Sequence, residues 1–201
     1  LPTFIRLRPA RAAAILSPPR KTMTTTAPEK HAFQAEVNEV LGIVVHSLYS
    51  HREVFLRELV SNASDALDHL HLVALKEPGV RGEEELVIEL LTDKQAGTLT
   101  IRDNGVGMTR DELVSHLGTI ARSGTKKLVQ SLTSAEKKDV ALIGQFGVGF
   151  YSAFLVADTV TVVSKKAGSD EVWAWESQAR TDFEVRPAER DGRGTDVVLK
   201  L

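Results

Sequence analysis

Between about Arg52 and about Leu75 the chain carries one long helical pattern, and a series of short strands follows it. That order constrains the fold more than any other feature. Leu59, Ala63, Ala66, Leu67 and Leu70 form an apolar stripe on this helix. Glu58, Asn62 and Asp65 recur at i, i+4 and i+7, so they share the face beside it. A carboxylate, an amide and a second carboxylate in line suit a hard cation such as magnesium, and one carboxylate can polarise a water. The same line also suits a solvated helix face, and this stretch alone does not choose between the two.

Strand signals appear at 86–91 and 98–102 around a turn at 93–97, and again at 159–164, 172–176, 182–185 and 195–199. Two further helices are predicted. Thr109 caps the first, with Glu112 completing a capping box ahead of Leu113, Val114 and Leu117. The run Gly144, Gln145, Phe146, Gly147, Val148, Gly149, Phe150 opens the second, an apolar helix through Tyr151, Phe154 and Leu155. Upstream, residues 31–37 suit an edge strand, and Leu41, Val44, Val45 and Leu48 have helical spacing. Helices followed by mostly antiparallel strands predict an α+β fold. It is a two-layer α/β sandwich, a mostly antiparallel sheet covered on one face by helices.

The 201 residues fit one domain with a real core. The absence of Cys removes disulfides, thiolate zinc sites and Cys nucleophiles together. A net charge of -2 disfavours nucleic acid as the main partner, and no apolar run approaches a membrane span. Residues 1–22 stand apart. Arg6, Arg8, Arg11, Arg20 and Lys21 lie there without an acid, beside Pro2, Pro9, Pro18 and Pro19. Residues 1–28 are therefore expected outside the fold, as a disordered, non-native or targeting leader. Met23 is a candidate true start, and the folded domain is 29–201. From 118 to 140 the pattern weakens into small and charged residues, which suits either a functional lid or a plain surface excursion.

Asp103 ends a strand just before Gly105 and Gly107. A carboxylate there can accept a hydrogen bond from an amine while the glycines let a ligand approach the backbone, although Asp-Asn-Gly is also ordinary turn chemistry. The glycines from Gly144 to Gly149 at a helix start suit phosphate binding by backbone N–H groups. They are not a P-loop, because no Gly-Lys-Ser/Thr follows, and Ser152 spoils a dinucleotide fingerprint. His69 and His71 diverge on their helix, and Trp173 and Trp175 suit packing.

Taken in order, Glu58-x-x-x-Asn62-x-x-Asp65, Asp103-x-Gly105-x-Gly107, Gly144-x-x-Gly147-x-Gly149 and Gly194-Thr195 are specific together. The set resembles the ATP-binding (Bergerat or GHKL) fold of DNA gyrase B subunits, sensor histidine kinases, mismatch-repair MutL proteins and heat shock protein 90 chaperones. The longer runs 55–67, 117–121 and 143–153 are similar to the heat shock protein 90 family, most of all its bacterial HtpG type, with the mitochondrial member close behind.

The resemblance implies a magnesium-dependent ATPase that binds ATP and ADP and hydrolyses slowly. It would be the N-terminal domain of a chaperone for client proteins, weak in hydrolysis on its own. Glu58 would activate the attacking water. Asn62 would bind magnesium. Asp103 would accept from the adenine amine, with Gly107 and Thr195 holding a water beside the ring. Asp65, Ala66, Met108, Leu117, Arg122 and Phe150 would contribute to the nucleotide pocket, the backbone of Gln145, Gly147, Val148 and Gly149 would wrap the phosphates, and 118–140 would be the lid. His116 and Arg122 depart from the eukaryotic cytosolic pattern. The resemblance implies that the middle and C-terminal domains of such chaperones are expected outside this chain. The resemblance also implies a stress-response role, a cytoplasmic location (mitochondrial if 1–22 is a transit peptide), a full-length homodimer and a monomeric isolated domain. The alternative is a GHKL ATPase of the topoisomerase or mismatch-repair type.

Overall fold

The computed structural model describes residues 4–9, 29–32, 53–77, 79–118, 149–178 and 182–201. These form β1 (Phe4–Pro9), β2 (Glu29–Ala32), α1 (Val54–Lys76), β3 (Val87–Asp93), β4 (Thr98–Asp103) and α2 (Arg110–Leu117). A 3₁₀ helix (Gly149–Leu155), β5 (Thr159–Lys165), β6 (Val172–Ser177), β7 (Asp182–Pro187) and β8 (Gly194–Lys200) complete them. The strands make one sheet in the order β1-β3-β4-β8-β5-β6-β7-β2. Every pairing is antiparallel except that of β1 with β3. This is the α+β two-layer architecture that the order of elements predicted.

Strand register sorts side chains onto two faces, because successive residues alternate. Ile88, Ile101, Leu199, Val162, Trp175 and Val185 fall on the inner face and are almost fully buried. They pack against Leu59, Ala63, Leu67 and Leu70 of α1, Leu113 and Leu117 of α2, and Tyr151 and Ala153 of the 3₁₀ helix. The outer face is polar. Arg102 bridges to Asp196 on the neighbouring strand, and Glu176 takes hydrogen bonds from Thr161 and Arg186. A sheet with one wet face needs only one helical layer, and only one is described.

α2 begins as its sequence dictates. The Glu112 N–H donates to Thr109 Oγ1 at 3.2 Å, and the Thr109 N–H donates to Glu112 Oε2 at 2.7 Å, closing the capping box. Lys166 Nζ donates to Glu112 Oε1 at 2.8 Å, tying the helix start to the end of β5. Partial burial raises the Glu112 pKa, but the hydrogen bonds from Lys166 and Thr109 prevail and hold it below the ordinary value. Thr109→Ala is expected to lower stability by about 1 kcal/mol. Urea unfolding checks this, and an unchanged midpoint would show that the cap is dispensable.

Three expectations differ from the structure. Residues 1–28 were expected outside the fold, yet Phe4–Pro9 lies parallel to β3 along the sheet edge. Phe4, Ile5 and Leu7 favour a strand, but only a partner distant in sequence makes one of them. The expected edge strand at 31–37 is found as Glu29–Ala32 beside β7, and 33–37 lie outside the described residues. The helix expected through Tyr151 to Leu155 is 3₁₀ from Gly149, and Ser152 Oγ donates to the Gly149 carbonyl at 2.6 Å within it. The predicted helix around 41–48 and nearly all of the predicted lid lie outside the described residues.

Candidate functional site

β4 delivers Asp103 to the inner face and then turns sharply under α1. The Gly105 N–H donates to Asp103 Oδ1 at 2.8 Å. Asn104 Oδ1 accepts from the Val87 N–H at 2.9 Å, and its Nδ2 donates to the Glu85 carbonyl at 2.8 Å. The Val106 N–H reaches the Ala66 carbonyl of α1 at 3.1 Å, and the Ala167 N–H reaches the Val106 carbonyl at 2.8 Å. The turn is thus wedged between α1 and the end of β5. Gly107 completes it with φ +62°, and a Cβ there would collide with the Lys165 carbonyl. Both reasons require glycine.

Thr195 stands directly across the ladder from Asp103. Gly194, just before it, has φ +111°, and its Cα lies so close to the Asp103 carbonyl that a Cβ would not fit. Arg190 holds this corner from the outer side. It donates to the Asp103 backbone carbonyl at 2.6 Å, to the Gly192 carbonyl at 2.8 Å and to Asp196 Oδ1 at 3.1 Å. Asp196 is also gripped by Arg102 at 2.6 Å.

These elements enclose a cleft of about 280 Å³. Asp103, Gly107 and Thr195 lie on its lining, with Asn62 and Ala66 of α1, Met108, Leu117 and Phe150. Ile101, Val162 and Val197 give the sheet floor, and His116 lines it as well. Tyr151 supports the α2 side by donating to the Leu117 carbonyl at 2.7 Å, and burial pushes its phenol well above the ordinary value. Asp103 is only 5% exposed. Burial pushes its carboxyl up to about 6, against the opposing pull of the Gly105 and Thr195 N–H groups and the Arg190 cation. The cleft therefore holds a buried carboxylate that is costly to leave charged.

Glu58 lies farther along α1, toward its N-terminus. It is buried, with Oε2 against Gly149 and Oε1 3.2 Å from Arg57 Nη2. It does not line the cleft, but Asn62, one turn on, does. Asp65 is exposed and does not line the cleft, because Ala66 rather than Asp65 meets the turn at Gly105 and Val106. Arg122, Gln145, Gly147 and Val148 lie outside the described residues. Among the described residues no three His, Cys, Asp or Glu side chains group as a metal site. Magnesium does not need such a group, since it usually keeps waters and takes substrate phosphates with one or two protein oxygens. Asn62 fits that limited role.

Sequence reasoning missed Ser164. It is completely buried, and its Oγ accepts from the Met108 N–H at 2.8 Å and lies 3.0 Å from Thr195 Oγ1. The signal was present: Val160, Val162 and Ser164 alternate along β5, so a hydroxyl follows two core valines on the inner face.

Residues 49–189 match the family of histidine kinase-, DNA gyrase B-, and HSP90-like ATPases. The chain belongs to this family. Its curated relatives include the chaperone protein HtpG of Bordetella pertussis, 56% identical over 184 residues, covering 90% of this chain and 29% of the relative. HtpG of Paramagnetospirillum magneticum is 58% identical over 176 residues, with 87% and 28% covered. HtpG of Myxococcus xanthus is 56% identical over 176 residues, with 86% and 27% covered. The chain therefore spans less than a third of the length of these HtpG relatives and corresponds to their N-terminal domain. Membership in this ATPase family accords with the fold and with the heat shock protein 90 resemblance. The topoisomerase or mismatch-repair alternative is not favoured. No helix among the described residues is long and apolar enough to cross a membrane.

Proposed function

We propose that the chain is the ATP-binding and slowly ATP-hydrolysing N-terminal domain of an HtpG-type chaperone. The observation that carries this is the buried Asp103 carboxylate at the closed end of the cleft. A buried charge is stabilised further by a ligand that brings donors, and the adenine amine is such a donor. Apolar walls from Ile101, Val162, Met108 and Phe150 suit the flat faces of the base. Glu58 and Ala66 are eight residues apart on α1, about 12 Å along its axis. A nucleotide extended along the helix would thus bring its terminal phosphate toward Glu58 while its base meets Asp103.

In this reading Glu58 takes a proton from the attacking water. Its carboxylate is held by packing against Gly149 and by Arg57, so the base is fixed in place before substrate arrives. Asn62 would hold magnesium, which supplies charge neutralisation along the phosphates. Gly107 and Thr195 complete the base end, Leu117 the wall, and the backbone from Gln145 to Phe150 the phosphate wrap. Arg122 and the 118–140 lid belong to the same proposal. Client-protein folding, a full-length homodimer and a cytoplasmic location follow from the HtpG relationship and are proposed for the longer protein.

Titration calorimetry with ATP and magnesium tests the reading. One saturable site per chain is expected. A folded chain that takes up no heat from ATP would refute it.

A further inference from the structure

Ser164 holds a position that the nucleotide reading leaves without a role. It is completely buried at the last inward position of β5. Its Oγ meets three groups: the Met108 N–H at 2.8 Å, the Gly194 carbonyl at 3.1 Å and Thr195 Oγ1 at 3.0 Å. A hydroxyl has one proton and two lone pairs. The Met108 N–H can only donate, so it takes one lone pair. The Gly194 carbonyl can only accept, so its contact takes the Ser164 proton. The Thr195 contact then has one remaining form, in which Thr195 donates its proton to the second Ser164 lone pair. With its proton committed inward, Thr195 Oγ1 turns only lone pairs toward the cleft.

Asp103 faces Thr195 across the ladder, and its carboxylate also offers only lone pairs. Asp103 and Thr195 thus present two side-chain acceptors side by side on the lining of the cleft. We propose that Ser164 is a specificity-determining positioning residue, fixing Thr195 as an acceptor so that the cleft takes a 6-amino purine and rejects a 6-oxo purine. This rests on the nucleotide reading and adds to it the reason for a base preference. An exocyclic amine supplies the protons both acceptors need. A ring carbonyl at that position would set a third acceptor against them, leaving buried polar groups unpaired.

Ser164→Ala frees the Thr195 proton to turn toward the cleft, while Ser164→Thr keeps the hydroxyl. The test is calorimetric Kd for ATP and for GTP with wild type, Ser164→Ala and Ser164→Thr. The ATP-over-GTP preference should fall about tenfold in Ser164→Ala, the scale of one neutral hydrogen bond, and should be retained in Ser164→Thr. A merely structural role would weaken both nucleotides together. An unchanged preference in folded Ser164→Ala would overturn the inference alone. Should that variant fail to fold, Thr195→Val removes the same acceptor from the other side. It should narrow the preference likewise, and an unchanged preference there overturns the inference too. Wild-type protein that binds neither nucleotide overturns the nucleotide reading and this inference with it.

Discussion

Asp103→Asn is expected to make the protein more stable at pH 7.5 while removing useful ATP affinity. The two effects have one cause. The folded chain holds this carboxyl at about 6, against an ordinary value of 3.8, chiefly through burial. Between those values the folded state binds the proton more tightly than the unfolded chain, so stability falls as pH rises through this window. Above about pH 6 the full penalty is present, on the order of 3 kcal/mol for a shift of this size. Asparagine keeps an oxygen for the Gly105 N–H and carries no charge, so it removes the penalty. It also removes the charged acceptor for the adenine amine, worth about 1.5–3 kcal/mol or roughly 10- to 100-fold in affinity. Urea unfolding at pH 4.5 and 7.5 should show the variant's gain over wild type rising from about 1 to about 3 kcal/mol, with calorimetry showing the lost affinity. A variant that is less stable at pH 7.5 and binds ATP normally would mean that Asp103 is only a turn residue.

Glu58→Gln is expected to lower ATP turnover by about 10²–10⁴ and to leave ATP affinity unchanged. Glutamine preserves the shape that packs against Gly149, so the loss isolates the proton-accepting role from the packing role. Asn62 and Asp103 remain, which is why binding should survive. The assay belongs in protein extended to the full span of the HtpG relatives, because this chain covers under a third of their length. Steady-state turnover equal to wild type would remove Glu58 as the base.

Much of this architecture was legible because local patterns and tertiary packing agree. Leu59, Ala63, Leu67 and Leu70 were read from helical spacing and are the buried stripe of α1. Thr109 and Glu112 were read as a capping box and form one. The six strands from β3 to β8 begin or end within two residues of their expected limits, since alternation and turn residues are local signals. What failed depends on distant partners. Phe4–Pro9 was expected outside the fold because its Arg and Pro content speaks against a core, and nothing nearby shows that β3 offers it an edge. The 3₁₀ geometry at Gly149–Leu155 arises where the segment packs on α1.

The site divides the same way. Asp103, Gly107 and Thr195 were identified by their types and order, and the fold brings them together. Asp65 was placed by helical spacing and by the resemblance; the turn under α1 meets Ala66, and Asp65 is exposed. The β5 alternation placed Ser164 on the inner face, but its partners Met108 and Thr195 come from distant strands and turns and could not be read beside it. The raised carboxyl of Asp103 was equally invisible, being a property of burial and not of sequence.

The central claim is that ATP binds with its base at Asp103 beneath α1. Amide hydrogen exchange with and without ATP and magnesium tests it most directly. The account predicts added protection at 103–108 and 194–197, with β6 and the outer strands little changed, and no such pattern in Asp103→Asn. Protection confined to other strands, or the same pattern in wild type and Asp103→Asn, would contradict it.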